Sequence, residues 1–265
     1  MIKGISIGNY FAGNSIIHRL DPRTKIIFGL GAIISLFLMN NYFILLWIAG
    51  IYSILVFTAG LSIGYIFRGL KIIFIIVFIT FLIHLFVTPG YTIAYIGPFS
   101  ITGEGLERGI VMSFRLLLLI GISVLLTATT PPLRLTDGLQ SLLSPLKKVK
   151  VPTSELALMV SIALRFIPTF VSETERIIKA QSSRGVDFYS GSIKERLENV
   201  IPILVPLFIS SFKRAEDLAI AMEARCYRGE EGRTKLYPLK YGTADLVAFV
   251  MLIAFVGIVI TLRNI

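Results

Sequence analysis

The sequence predicts an all-α integral membrane protein with about five transmembrane helices and, inserted before the last of them, a cytoplasmic module of long amphipathic helices. Three observations carry that prediction. Of the 265 residues, 55% are hydrophobic and only 16% charged, with a mean hydropathy of +0.80, far above the balance of a soluble domain. Five apolar stretches approach or reach the length at which a helix crosses the roughly 30 Å hydrocarbon layer. Between the fourth and fifth lie residues 131–243, which hold seventeen Lys or Arg and twelve Asp or Glu.

Taken in order, the N-terminal stretch MIKGISIGNYFAGNSIIHRLDPRTK mixes Gly, Asn, His and Asp before any apolar run and lacks a small-residue cleavage site. It does not read as a removable signal peptide, so the first span is expected to stay in the protein. Asp21 is placed to cap the first helix, with Pro22 at its first position. Spans are expected at about 26–40, 42–60, 70–88, 109–129 and 244–262, the first being short with room to extend back to Thr24. Asn40 and Asn41 make an uncharged turn between the first two. Gly29, Gly31, Gly50 and Gly60 offer the small surfaces that helix packing in lipid requires. The chain therefore divides into an N-terminal region, 1–130, with four spans; a cytoplasmic module, 131–243; and a last span with its tail, 244–265.

The net charge of +10 is unevenly spread, and Lys and Arg in short flanks report orientation. Lys3, Arg19, Arg23 and Lys25 precede span one; Arg68 and Lys71 flank the second turn on that side; the loop from Pro89 to Arg108 has one arginine; the tail has Arg263 alone. The alternation places the N-terminus and residues 131–243 in the cytoplasm, the C-terminus outside, and the protein in the cell membrane. The basic excess thus has a membrane explanation, and no nucleic-acid partner is needed. Cys226 is the only cysteine, which excludes an intramolecular disulfide and a metal site built from Cys pairs.

Within the insert, the pair Pro131-Pro132 stops span four and precedes a short amphipathic helix expected from about Asp137 to Lys147. Pro152, Thr153 and Ser154 then open a long helix in which Leu156, Met159, Val160, Ala163, Leu164, Ile167, Phe170 and Val171 recur at spacings of three and four. It is expected to run to Ser183, bent at Pro168 and stopped by Gly185. A second long helix starts near Ser192, carries Pro202 and Pro206, is apolar all round from Ile201 to Ile209, and is expected to stop at Gly229.

Each long helix closes on a small residue, an arginine and another small residue: Ser183-Arg184-Gly185 and Ala224-Arg225-Cys226. A cation near a helix C-terminus gains roughly 0.3 to 1 kcal/mol from the macrodipole, which is explanation enough for one arginine. Two matched ends suggest more, because small neighbours clear room for a guanidinium to enter another protein's groove and pair bidentately with a carboxylate.

These motifs resemble the paired Ala-Arg-Gly motifs that close the cytoplasmic coupling helices of energy-coupling factor transporter transmembrane proteins, the EcfT family. Serine replaces alanine in the first and cysteine replaces glycine in the second, while both arginines are kept. The segment SIIHRLDPRTK, 15–25, is similar to the family's stretch before its first span, so the likeness covers nearly the whole chain. The resemblance implies a transmembrane coupling component linking two cytoplasmic ABC-type ATPase subunits, as a homodimer or heterodimer, to a separate membrane subunit, the S component, that captures a vitamin or metal ion. Ser183, Arg184, Gly185, Ala224, Arg225 and Cys226 would form the ATPase contacts, and the unequal motifs favour different receptors. The chain would bind no cofactor and no metal and would be no catalyst; ATP and Mg would be used by the partners. In keeping with that division, no Gly-x-x-x-x-Gly-Lys-Ser/Thr phosphate loop occurs in the sequence.

Other residues are explained by structure. Arg115, about six residues inside span four, is close enough to the outer end to snorkel or to find a polar partner. His84, with no second ligand, suits a hydrogen bond to a neighbouring helix. Glu173 with Arg176 and Glu175 with Lys179 have the spacing of helix-surface pairs; Asp217 and Glu223 precede the second motif. Asp137-Gly138 invites comparison with metal-dependent phosphoalcohol transferases, but the spaced aspartates such an enzyme needs for divalent ions do not follow. A channel or secondary transporter needs ionisable residues along several spans, and apart from Lys71 and Asp245 at their ends these spans offer only His84 and Arg115. A conventional ABC permease would dock ATPases in the same way, but it needs a substrate path of its own.

Overall fold

Residues 10–11, 13–38, 42–96, 99–188, 192–229, 236 and 238–263 are described by a computed structural model of the chain. The expected turn at Asn40 and Asn41 lies outside the described residues. A one-turn helix, α1 (Ile16–Arg19), follows Ser15, whose hydroxyl accepts the His18 N–H. Helix α2 (Pro22–Leu38) starts as anticipated: Pro22 occupies the first position, and Asp21 Oδ1 accepts the Arg23 N–H at 2.9 Å. Then come α3 (Tyr42–Thr58), α4 (Ile63–Val87), strands β1 (Thr92–Ile96) and β2 (Phe99–Thr102), α5 (Gly103–Thr129), α6 (Pro132–Leu143), a 3-10 turn (Ser144–Val149), α7 (Thr153–Ser183), α8 (Ile193–Ala224) and α9 (Thr243–Arg263).

Four expectations about the elements and their bounds need correction. The loop after Pro89 contains an antiparallel hairpin, with Thr92 opposite Thr102 and Ile96 opposite Phe99, so the chain is not purely helical. Its β-branched and aromatic run Thr-Ile-Ala-Tyr-Ile favours a strand. Span four starts earlier than residue 109, because Thr102 caps α5 by accepting the Gly105 N–H at 3.0 Å. The short amphipathic helix runs from Pro132 to Leu143 rather than from Asp137 to Lys147. Proline suits a first helical position, and Pro145 converts the continuation into a 3-10 turn. Finally, α8 ends at Ala224 and not at Gly229.

The chain separates into two units, residues 8–142 with 239–265 and residues 143–238. In the first unit, Leu36 of α2, Leu45 and Ile48 of α3, Val111 and Leu118 of α5, and Leu252 and Phe255 of α9 form one buried apolar cluster. The Trp47 ring stacks on Phe255 with centroids 5.4 Å apart. Gly31 lets α2 approach α9: a Cβ there would lie 2.9 Å from Leu252 Cδ1. Gly50 faces open space and Gly60 makes a left-handed turn at φ 68°, so neither packs helices as expected. The closest approach among the described glycines of α4 and α5 uses Gly105, where a Cβ would sit 2.7 Å from the His84 carbonyl oxygen. His84 itself contacts Thr88 Oγ1 at 3.5 Å at the end of its own helix, not a neighbouring one. Arg115 does not snorkel; it is buried, with Nη1 3.6 Å from Met112 Sδ.

A polar joint closes the same unit. The buried Lys25 ammonium donates to the Thr129 carbonyl at 3.0 Å, to Thr130 Oγ1 at 2.9 Å and to the His18 carbonyl at 3.4 Å. Asp245, 3% exposed, accepts the Asp21 N–H at 2.8 Å on one oxygen and the Gly242 N–H at 2.8 Å on the other. Arg23 bridges Asp21 and Ser141 and lies 3.9 Å from the Tyr241 ring centroid. Such a set of buried charges is tolerable because each has several partners.

Among the described residues, two helices are long and apolar enough to cross a membrane by length and composition, α5 and α7. Shorter apolar segments are Leu45–Thr58, Ile73–Val87 and Thr243–Ile258.

Candidate functional site

The two motif ends are built alike. In α7, the Gly185 N–H donates to the Ser182 carbonyl at 3.0 Å and the Val186 N–H to the Gln181 carbonyl at 3.1 Å. In α8, the Cys226 N–H donates to the Glu223 carbonyl at 2.8 Å and the Tyr227 N–H to the Met222 carbonyl at 3.0 Å. Both are Schellman terminations, in which two reversed bonds satisfy carbonyls the helix would leave open. The arginine is the C-cap each time, with φ and ψ of −88° and 5° at Arg184 and −92° and 13° at Arg225.

The next residue must take positive φ. Gly185 does so at 90°, and Cys226 does so at 57°. Left-handed backbone is nearly free for glycine and costs other residues about 1 kcal/mol or more. Cys226→Gly is therefore expected to stabilise the chain by about 1 kcal/mol, and Cys226→Val to destabilise it, since a β-branched residue fits that region worst. Denaturation of the purified variants in detergent tests this; no gain from Cys226→Gly would mean the turn is not strained.

Arg184 and Arg225 are exposed, and among the described residues neither guanidinium has an ion pair or hydrogen-bond partner. Ser183 sits where the family motif has alanine, and its hydroxyl donates back to the Lys179 carbonyl at 3.0 Å. The serine's polar atom is thus satisfied within its own helix and leaves a small surface beside Arg184. Ala224 and Cys226 are likewise exposed and small beside Arg225.

The helices carrying these ends are tied to each other. Ser192 and Glu195 form a reciprocal capping box that starts α8, as its sequence position suggested. The partner the structure gives Glu173 is Arg214 on α8, rather than Arg176 on its own helix. Arg214 also donates to Ser210 Oγ at 3.3 Å and stands 5.9 Å from the Phe170 ring centroid. Beyond this pair, Ile162 and Phe166 of α7 and Leu218 and Met222 of α8 line an apolar groove of about 280 Å³. Helices α7 and α8 continue without a break through Pro168, Pro202 and Pro206. The partly buried Glu173–Arg214 ion pair thus ties the two helices to each other.

Comparison with known proteins bears on this geometry. Residues 13–236 match the family model described as CbiQ, cobalt transport protein. A protein from Acidaminococcus fermentans, named energy-coupling factor transporter transmembrane protein EcfT, is 50% identical over 257 residues, 97% of this chain and 96% of its own length. Proteins of the same name from Bacillus subtilis and Listeria innocua are 48% and 45% identical, each alignment covering at least 99% of both chains.

Proposed function

The chain belongs to the EcfT family of energy-coupling factor transporter transmembrane proteins, and on that premise we propose that it transmits force from two ABC-type ATPase subunits through Arg184 and Arg225. It is the transmembrane component of such a transporter. The observation that carries the mechanism is the pair of matched, exposed C-cap arginines on two helices joined by Glu173 and Arg214.

In this reading each arginine enters a groove of one ATPase and pairs with a carboxylate there. ATP and Mg are used by the ATPases, and this chain holds no catalytic residue or cofactor. Closure of the ATPases moves α7 and α8, and their apolar surfaces pass the movement to a separate S component that carries the vitamin or metal ion. Exposed Met159, Val160, Phe208, Ile209 and Phe212 supply such a surface.

The membrane topology follows from charge. Five spans drawn from α2, α3, α4, α5 and α9 place the N-terminus and the coupling module inside and the C-terminus outside. Helix α7 is apolar enough to span, but Lys147, Lys148 and Lys150 precede it, Arg176 and Lys179 lie in its C-terminal turns, and Arg184 caps it. Basic residues on both flanks favour keeping both ends on the cytoplasmic side. Its three-four periodicity, with Glu155 and Arg165 inside the apolar stretch, suits a helix lying at the interface.

Purification of the tagged chain from its host in mild detergent tests the assembly. Two ATPase chains and a small apolar membrane protein are expected to accompany it. Isolation alone or as a homo-oligomer would favour a channel or enzyme and would end the coupling proposal.

A further inference from the structure

A polar recess lies in the first unit, between the loop before α1, the end of α1 and the start of α6. It measures about 270 Å³, near the lower end of small-molecule sites. Arg19 enters from α1 and Arg134 from α6, and Tyr10, Asn14 and His18 complete much of its wall. Among the described residues no carboxylate lines it. Among the described residues neither Arg19 nor Arg134 has an ion pair or hydrogen-bond partner, and both are exposed. The Arg134 guanidinium repels the buried Lys25 ammonium behind the wall, while Asp21, the acid nearest Arg19 in sequence, is held by Arg23.

The wall is built rather than incidental. The His18 ring is buried, its Nε2 donates to the Phe11 carbonyl at 3.0 Å, and its Nδ1 meets Ser15 Oγ at 2.7 Å. Gly13 lies flat against that ring: a Cβ there would stand 2.7 Å from His18 Cε1. The Phe11 N–H donates to the Ala128 carbonyl at 2.9 Å, fastening the loop to the end of α5. Two unpaired cations are thus held on one concave face by segments more than a hundred residues apart.

We propose that this recess binds a phosphate group, presented by the headgroup of an anionic phospholipid. Two forked guanidiniums match phosphate oxygens in shape and charge. The recess opens beside the ends of apolar helices, which the topology proposed above puts at headgroup depth, and basic pockets there select anionic lipids. The leaflet assignment, cytoplasmic, rests on the topology proposed above.

The test titrates short-chain phosphatidylglycerol, phosphatidylcholine and inorganic phosphate into the purified full chain in neutral detergent, read by native mass spectrometry and thermal shift. Phosphatidylglycerol is expected to bind and protect the wild type, and phosphatidylcholine to do so at least tenfold more weakly. Arg19→Gln/Arg134→Gln is expected to keep the lipid-free melting temperature and to lose at least tenfold in phosphatidylglycerol affinity. Arg176→Gln/Lys213→Gln, which removes as much charge from the other unit, is expected to lose none. Should the glutamine pair fail to fold, Arg19→Lys/Arg134→Lys keeps the charge and removes the forks, and a several-fold loss is expected. Undiminished affinity in the arginine variants, or equal loss in the control, overturns the site. Protection by millimolar inorganic phosphate alone, with displacement of the lipid, overturns the lipid source and retains the phosphate site. Binding in detergent depends on neither sidedness nor ATPases, so its failure leaves the coupling reading intact.

Discussion

Replacing both Arg184 and Arg225 with alanine is expected to strip the ATPases from the chain and abolish ATP-driven uptake, with membrane insertion unchanged. Each guanidinium is exposed and has no partner among the described residues, so alanine removes nothing the folded chain itself needs beyond a C-cap charge. That charge contributes only about 0.3 to 1 kcal/mol. Breaking a buried, hydrogen-bonded charge pair at an interface costs roughly 2 to 5 kcal/mol, at least about thirtyfold in affinity for each arginine. Lysine separates the two accounts. Arg184→Lys and Arg225→Lys keep the cation at the helix end but lose the planar fork. Docking predicts that lysine restores little of the ATPase yield; capping predicts full restoration. Normal assembly and uptake in the double alanine variant would reduce both arginines to caps and remove the mechanism.

How far these ends were legible depends on the range of the interactions that make them. Helix α7 spans Thr153–Ser183 because its signals are local: Pro152 before it, an unbroken apolar period within it, and Gly185 after it. Ser192 marked the start of α8, and the capping box that Glu195 completes three residues on was in the sequence but went unread. Its end was misjudged because Cys226 adopts a left-handed conformation that only glycine advertises. Gly229 does have positive φ, at 81°, three residues past the true turn. The hairpin was missed because charge alone was read in the loop after Pro89, although Thr92–Ile96 is β-branched and aromatic in a way that suits a strand. Glu173 illustrates a different limit. Spacing offered Arg176 as its partner, whereas the fold supplies Arg214 from forty-one residues away. Likewise, Arg19 was legible only as a flanking charge and Arg134 only as one of the seventeen basic residues of 131–243, because nothing local brings α1 beside α6.

The joint around Asp245 should be the most sensitive point of the membrane unit. Its two carboxylate oxygens hold the N–H of Asp21 and that of Gly242, fastening the start of α9 to the start of α2. Asp21 and Asp245 are 224 residues apart in sequence, so no local preference can substitute for this contact. Asp245→Ala leaves a buried N–H at Asp21 without its acceptor and removes an anion from the neighbourhood of Lys25 and Arg23. Hydrogen bonds to charged groups contribute about 1.5 to 3 kcal/mol, and orphaning a buried donor adds its desolvation cost. A loss of about 2 to 4 kcal/mol is expected, lowering the thermal midpoint in detergent by roughly 5 °C or more. Asp245→Asn retains an acceptor oxygen for Asp21 and is expected to recover part of the loss. Lys25→Met should fail comparably, because it orphans the Thr129 carbonyl and Thr130 hydroxyl at the end of α5. If Asp245→Ala melts with the wild type, the apolar cluster of Leu36, Leu252 and Phe255 alone seats the last helix, and the joint is dispensable. If it melts early yet still retains the ATPases at low temperature, stability and coupling separate along the two units, as the proposed docking of the arginines that cap α7 and α8 predicts.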